Sequence, residues 1–124
     1  MKAFLVDDSL TVRLLLSHIL RDLGFEVEEA PGGTAAINRL AEGLVPDLIL
    51  LDWNMPDVSG LEVLQMIRRE AKLAGSRVVM VTSETETNMM AWALEAGADE
   101  YVMKPFSPAM IRDKLVLLGL LPSA

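Results

Sequence analysis

The chain of 124 residues contains no cysteine and a single histidine. The first absence excludes a disulfide framework and any thiolate metal site, and it suits the cytosol. The second leaves His18 without another imidazole or thiol to share a metal, so it reads as a surface residue. Positive charge is also scarce, with 11 Lys and Arg against 18 Asp and Glu and a net charge of −7. Direct binding to nucleic acid or to an anionic membrane needs a basic patch, and none is available. No apolar run approaches the length that spans a bilayer. The start, Met-Lys-Ala-Phe-Leu-Val-Asp-Asp, meets acid too soon for a signal peptide. There is no repeat, no low-complexity tract and no linker. The expectation is one cytoplasmic domain covering residues 1–124.

What the chain does have is core: 52% of its residues are hydrophobic and mean hydropathy is +0.35. The central stretch is Leu48-Ile-Leu-Leu-Asp52-Trp-Asn-Met-Pro56. Its opening run of branched apolar residues predicts a strand buried on both faces, as in a parallel sheet. Ala3–Val6 and Val78–Val81 read the same way, and Glu100–Met103 as a fifth strand. Phe25–Ala30 alternates, which predicts an edge strand with one wet face.

Helices are predicted between the strands. The first follows a Ser9 cap and turns Val12, Leu15, Leu16, Ile19, Leu20 and Leu23 inward, with Arg13, Ser17, Arg21 and Asp22 elsewhere on the wheel and Gly24 as its stop. After the Pro31-Gly32-Gly33 turn, a second helix runs from Thr34 to Gly43 with Ile37, Leu40, Ala41 and Leu44 inward. Ser59 and Glu62 form a capping box for a third, which buries Leu61, Leu64, Ile67 and Ala71 and ends near Gly75. A fourth covers Glu86 to Ala96, with Met90, Ala93 and Leu94 inward and Gly97 as its stop. Ser107-Pro108 opens the last, which buries Ile111, Leu115 and Leu118. Strands alternating with helices define a doubly wound parallel sheet.

In such sheets ligands bind at the carboxyl ends of the strands. Those ends carry Asp7 and Asp8, then Asp52, then Thr82, then Lys104. Three crowded carboxylates either raise the pKa of one of them or recruit a divalent cation. All-oxygen ligands favour a hard ion, Mg²⁺ above all and Mn²⁺ as a substitute. Mg²⁺ completes its shell with phosphoryl oxygens, Thr82 adds a donor, and Lys104 is a point charge suited to phosphate. A carboxylate so placed can itself take up a phosphoryl group, and Asp52 on the central strand is the natural acceptor.

With these motifs in their order, the chain resembles the receiver domains of bacterial response regulators, in particular the stand-alone chemotaxis type. The acidic pair, Asp-Trp-Asn-Met-Pro, Thr-Ser and Lys-Pro-Phe carry the resemblance, which extends over essentially the whole chain. It implies a flavodoxin-like (βα)5 three-layer sandwich with strand order 2-1-3-4-5. It implies that Asp52 accepts a phosphoryl group from the phosphohistidine of a histidine kinase or histidine phosphotransfer protein. Asp8, Asp52 and the Asn54 backbone carbonyl would hold the Mg²⁺, with Asp7 acting through water and Lys104 holding a phosphoryl oxygen across a cis bond to Pro105. Thr82 and Tyr101 would form the switch that alters the face of the fourth helix, fifth strand and fifth helix for a downstream protein. Asn54 and Glu84 would tune dephosphorylation. The expected product is a signalling switch rather than an enzyme with free substrates, monomeric unless phosphorylation brings two copies together. With the chain stopping soon after the fifth helix, its signal is expected to leave through such a partner.

Two rivals are disfavoured by the residues. A flavodoxin needs a hydroxyl- and glycine-rich phosphate loop where Asp-Asp-Ser-Leu-Thr stands. An aspartyl phosphatase usually carries a second carboxylate at the position of Asn54. A pseudo-receiver, working through protein contacts alone, is the alternative. On the fourth helix, Thr85, Met89, Trp92 and Ala96 widen the apolar arc beyond what a core needs, which marks Met89, Trp92 and Ala96 as a candidate partner surface.

Overall fold

The structure is a computed structural model describing residues 1–83 and 87–123, with backbone only at 87–89. The elements run β1 (Lys2–Val6), α1 (Leu10–Asp22), β2 (Glu26–Ala30), α2 (Gly33–Ala41), β3 (Leu48–Asp52), α3 (Gly60–Arg69), β4 (Arg77–Thr82), α4 (Thr87–Glu95), β5 (Glu100–Met103) and α5 (Pro108–Leu117). A short 3₁₀ turn, Ala71–Leu73, follows α3. All strand pairs are parallel, in the order β2-β1-β3-β4-β5.

The missing alternation in the central strands has a direct cause. Phe4, Val6, Ile49, Leu51, Val78 and Met80 face one core, built with Leu40 of α2, Leu64 and Ile67 of α3 and Ala93 of α4. Their neighbours Ala3, Leu5, Leu48, Leu50, Val79 and Val81 face a second core with α1 and α5. Each fully buried leucine or isoleucine contributes on the order of 2 kcal/mol. At the edge, β2 exposes or half-exposes its three glutamates.

Three helices start as their serines require. Ser9, Ser59 and Ser107 accept hydrogen bonds at Oγ from the amides of Val12, Glu62 and Met110, at 3.3, 3.2 and 3.2 Å. The second helix has Gly32 at its cap and no side chain of its own for the purpose. Asp57, from the loop after β3, supplies it: Oδ1 accepts from Gly33 N at 3.2 Å and Oδ2 from Thr34 N at 3.0 Å. Hydrogen bonds from Thr34 first, then from the Val58 amide and least from Gly33, hold the Asp57 carboxyl well below the usual carboxylate range.

Several facing assignments differ from the sequence reading. Leu15 is 47% exposed, whereas Ser17 is buried. Ser17 lies one turn beyond Arg13 on the flank of α1, and its Oγ accepts from Arg21 Nε at 3.0 Å, so burial leaves it satisfied. In α2 Gly33, Ala36 and Leu40 are buried, Ile37 packs half-buried against the same core, and only Ala41 of the expected inward residues of the helix is exposed. In α4 Leu94 is 47% exposed, leaving Ala93 as the buried contact.

The third helix ends earlier than its apolar periodicity suggests. Glu70 leaves helical geometry at φ −92° and ψ 114°, so Ala71 is exposed and Leu73 takes the buried place. The cause is Arg68. Its Nε donates to Gly97 O at 2.8 Å, Nη1 to Ser76 O at 3.0 Å, and Nη2 to Asp99 Oδ2 at 2.9 Å. Asp99 Oδ2 also accepts from Val78 N at 2.8 Å. Gly97, at φ +109°, leaves no room for a side chain, because a Cβ there would lie 2.7 Å from Arg68 Cγ. One guanidinium thus ties α3 to β4 and to the turn before β5.

Candidate functional site

The carboxyl edge of the sheet gathers the strand-end residues. Asp7 and Asp52 are buried, at 2% and 5% exposure, while Asp8 is exposed. One carboxylate oxygen from each of the three lies within 4.8 Å of the others. Lys104 reaches the buried pair, with Nζ 3.2 Å from Asp7 Oδ2 and 3.4 Å from Asp52 Oδ1. Its peptide bond to Pro105 is cis. Thr82 is buried at the end of β4, and its carbonyl accepts from Lys104 N at 2.7 Å.

Burial is the main force on Asp52, which is pushed up from 3.8 to about 6, with Asp7 adding to the shift and Lys104 opposing it. At pH 7 the group is still ionised, yet more basic than a free carboxylate. Burial alone would depress the Lys104 ammonium, but Asp52 and Asp7 outweigh it and hold it charged beyond its ordinary range. One lysine faces three acids, so the cluster keeps surplus negative charge. Converging oxygen donors without nitrogen or sulfur fit a hard divalent cation, and Mg²⁺ suits so small a set best.

The backbone beneath Asp52 is tightly packed. Trp53 N donates to Val81 O at 3.0 Å, and Gly60 N donates to Trp53 O at 3.0 Å. A Cβ on Gly60 would overlap the Asp52 carbonyl oxygen, so only glycine lets α3 begin this close to the strand end. Asn54 is exposed two residues beyond Asp52 in the same loop.

The other predicted residues are more dispersed. Tyr101 is half-buried inside β5, opposite Met80, with Lys114 Nζ 5.0 Å from its ring centroid. Trp92 is 55% exposed and Ala96 half-buried. Both line an open groove of about 310 Å³ with Leu61 and Gln65 of α3 and Glu95. Trp92 therefore borders the α3 side of α4 as well as solvent. Glu84 and Thr85 lie outside the described residues, as does the side chain of Met89.

The sequence reading overlooked Arg13, the residue that braces the acidic turn. Its Nη1 donates to the Asp7 carbonyl oxygen at 2.6 Å and its Nε pairs with Glu29 Oε1 at 3.2 Å. Ser9 N also donates to Asp7 Oδ1 at 2.8 Å. The available signal was a basic residue one turn into a helix that starts at two acids.

A parallel sheet wound on both faces in the strand order β2-β1-β3-β4-β5 defines the flavodoxin-like class of α/β proteins, whose ligands bind at the carboxyl edge where the acids and Lys104 stand. Within that class, the model of the response regulator receiver domain matches residues 3–116, and the chain belongs to this family. It is 38% identical over 116 residues to a chemotaxis protein CheY of Pseudomonas aeruginosa, covering 93% of each chain. CheY-3 of Vibrio cholerae is also 38% identical, over 93% of this chain and 88% of that one. Among solved structures, CheY4 of Vibrio cholerae superposes with a TM-score of 0.86 at 33% identity, covering 94% of this chain and 96% of the other. A CheY-like receiver from Methanospirillum hungatei gives 0.86 at 29% identity over 94% and 91%. The protein is a CheY-like receiver of two-component signalling, and its relatives support a response regulator in chemotaxis. Among the described residues no helix is long and apolar enough to cross a membrane.

Proposed function

We propose that the chain is a response regulator receiver whose Asp52 takes a phosphoryl group from a phosphohistidine. The donor would be a histidine kinase or a histidine phosphotransfer protein in the cytoplasm. The observation that carries the reading is the buried Asp52 carboxylate held 3.4 Å from Lys104 Nζ inside a three-acid cluster. An Asp52 oxygen attacks phosphorus, the P–N bond breaks, and the imidazole leaves with the electron pair. Lys104 moves little charge but gives the incoming phosphoryl oxygens a fixed cation. Asp8, Asp52 and the Asn54 carbonyl would hold Mg²⁺ directly, with Asp7 acting through water. That ion, when bound, offsets charge on the phosphoryl group in transfer. Of the two buried acids, Asp7 has both carboxylate oxygens engaged, by Ser9 N and Lys104, which supports its indirect role.

In this reading Thr82 and Tyr101 relay the new charge to the surface, and Asn54 with Glu84 sets how fast water removes the phosphate. The test is intact-protein mass after incubation with acetyl phosphate and Mg²⁺. One phosphoryl group on the wild type, absent from Asp52→Asn and without metal, is the expected result. No adduct, together with no binding of beryllofluoride, would overturn it and leave a pseudo-receiver.

The exposed Trp92 and the adjoining Ala96 are proposed, together with Met89, as a partner surface. Trp92→Ala is expected to leave acetyl-phosphate labelling unchanged and to weaken a captured partner about tenfold in a binding titration. Loss of labelling instead would show that Trp92 supports the fold.

A further inference from the structure

We propose that Arg13 is a positioning residue for the cation site, aiming Asp8 by clamping the peptide that joins it to Asp7. This rests on the reading of the acidic cluster as a Mg²⁺ site. Asp7 is fixed through its side chain by Ser9 N at 2.8 Å and Lys104 Nζ at 3.2 Å. Asp8 is exposed, and among the described residues no hydrogen bond or ion pair holds its carboxylate. Its direction therefore follows from the backbone it hangs on. The Asp7 carbonyl belongs to the same planar unit as the Asp8 amide, so fixing that oxygen places the Asp8 Cα, and with the next peptide held by Ser9 N on Asp7 Oδ1 the direction of the Asp8 Cα–Cβ bond is set from both sides.

Arg13 makes that fixation at 2.6 Å. Its guanidinium is itself held on a second side by Glu29 of β2, 3.2 Å from Nε, and its side chain is 13% exposed. Glu29 stands next to Leu5 in the sheet register, so the brace is anchored on the strand that flanks β1. A planar fork can reach a carbonyl and a carboxylate together, and the point charge of a lysine cannot hold both directions. Arg13 touches neither phosphate nor metal in this arrangement and acts through the main chain of a ligand.

Geometry and charge make opposite predictions here. Removing a nearby cation leaves the acids more negative, which by charge alone would tighten a dication. Loss of aim would loosen it. Mg²⁺ alone is the probe, titrated by calorimetry into wild type, Arg13→Lys, Arg13→Ala and Glu29→Asp, each below its melting transition. Arg13→Lys keeps the charge, and about tenfold weaker Mg²⁺ binding is expected, the lower end of what outer partners of metal ligands supply. Arg13→Ala is expected to weaken binding as well. Glu29→Asp keeps its charge but is one methylene too short, and weaker binding is expected, by less than in Arg13→Lys because Glu29 acts through Arg13.

Wild-type affinity in Arg13→Lys and Glu29→Asp, or tighter binding in Arg13→Ala, would overturn the proposal while leaving the cation site intact. A wild type that binds no Mg²⁺ at millimolar concentration would overturn the site itself and this role with it. Should the Arg13 variants fail to fold, Glu29→Asp decides alone. Its metal-free melting temperature separates the two roles, because a residue that serves only the fold would lower melting without moving the Mg²⁺ affinity.

Discussion

Arg68→Ala is expected to lower stability by about 3 kcal/mol and the melting temperature by about 10 °C in a chain of this size. The substitution removes the donors to Gly97 and Ser76 carbonyls and the guanidinium beside Asp99. Asp99 would keep Val78 N and a looser pairing with Arg77, whose Nη1 lies 3.8 Å away. Charge-assisted hydrogen bonds are worth about 1.5–3 kcal/mol each, and breaking a buried pair costs about 3–5 kcal/mol. Side-chain exposures of 22% and 26% place this pair between surface and interior, which argues for the lower figure. Arg68→Lys restores charge but not the fork, so it should recover less than half of the loss. Chemical denaturation of the three proteins checks the order, and a lysine variant as stable as wild type would contradict the account.

Arg68 also shows where sequence pattern stops being informative. The strands and their parallel arrangement are legible because both faces of β1, β3 and β4 are covered, which leaves apolar runs without alternation. Helix starts are legible because a serine cap is a local event, satisfied within three residues. The end of α3 is not local. The apolar spacing continues to Ala71, but the chain turns out at Glu70, where Arg68 gathers carbonyls from 5 to 29 residues away. Ser17 was misplaced for a similar reason: its burial depends on Arg21 satisfying its hydroxyl.

The candidate site divides in the same way. Asp7, Asp8, Asp52, Thr82 and Lys104 could be named from the sequence because each terminates a strand, and parallel strands deliver their ends to one edge. Arg13, Asp57 and Gly60 could not. Arg13 and Asp57 act on backbone groups, and Gly60 is fixed by the space under the Asp52 carbonyl. The residue type says little about which main-chain atom it will meet. Nor does helical spacing reveal that the groove beside Trp92 is shared with α3.

Asp52→Asn is expected to melt about 4–8 °C above the wild type at pH 7 when no metal is added. Burial first, and Asp7 after it, push the folded Asp52 up from 3.8 to about 6. An acid with a raised folded pKa is bound to its proton more tightly in the native state than in the unfolded chain. Its contribution therefore favours folding fully below about pH 4 and is lost as pH rises through about 6. At pH 7 the whole penalty stands. Two pH units correspond to about 3 kcal/mol with the opposing pull of Lys104 already included, and solvent screening at the open edge of the sheet reduces this to an expected net gain of about 1–2 kcal/mol. Lys104 keeps Asp7 at 3.2 Å, which is why the exchange comes out favourable. The gap between the two proteins should close as pH falls towards 4, where both carry a neutral group at this position. Mg²⁺ should narrow it from the other side by binding only the folded wild-type site, worth about 2.7 kcal/mol at a hundredfold excess over the dissociation constant. A metal-free variant that melts below the wild type at pH 7, or a gap independent of pH, would mean that Lys104 already neutralises the cluster. The site would then have little surplus negative charge with which to draw in a cation.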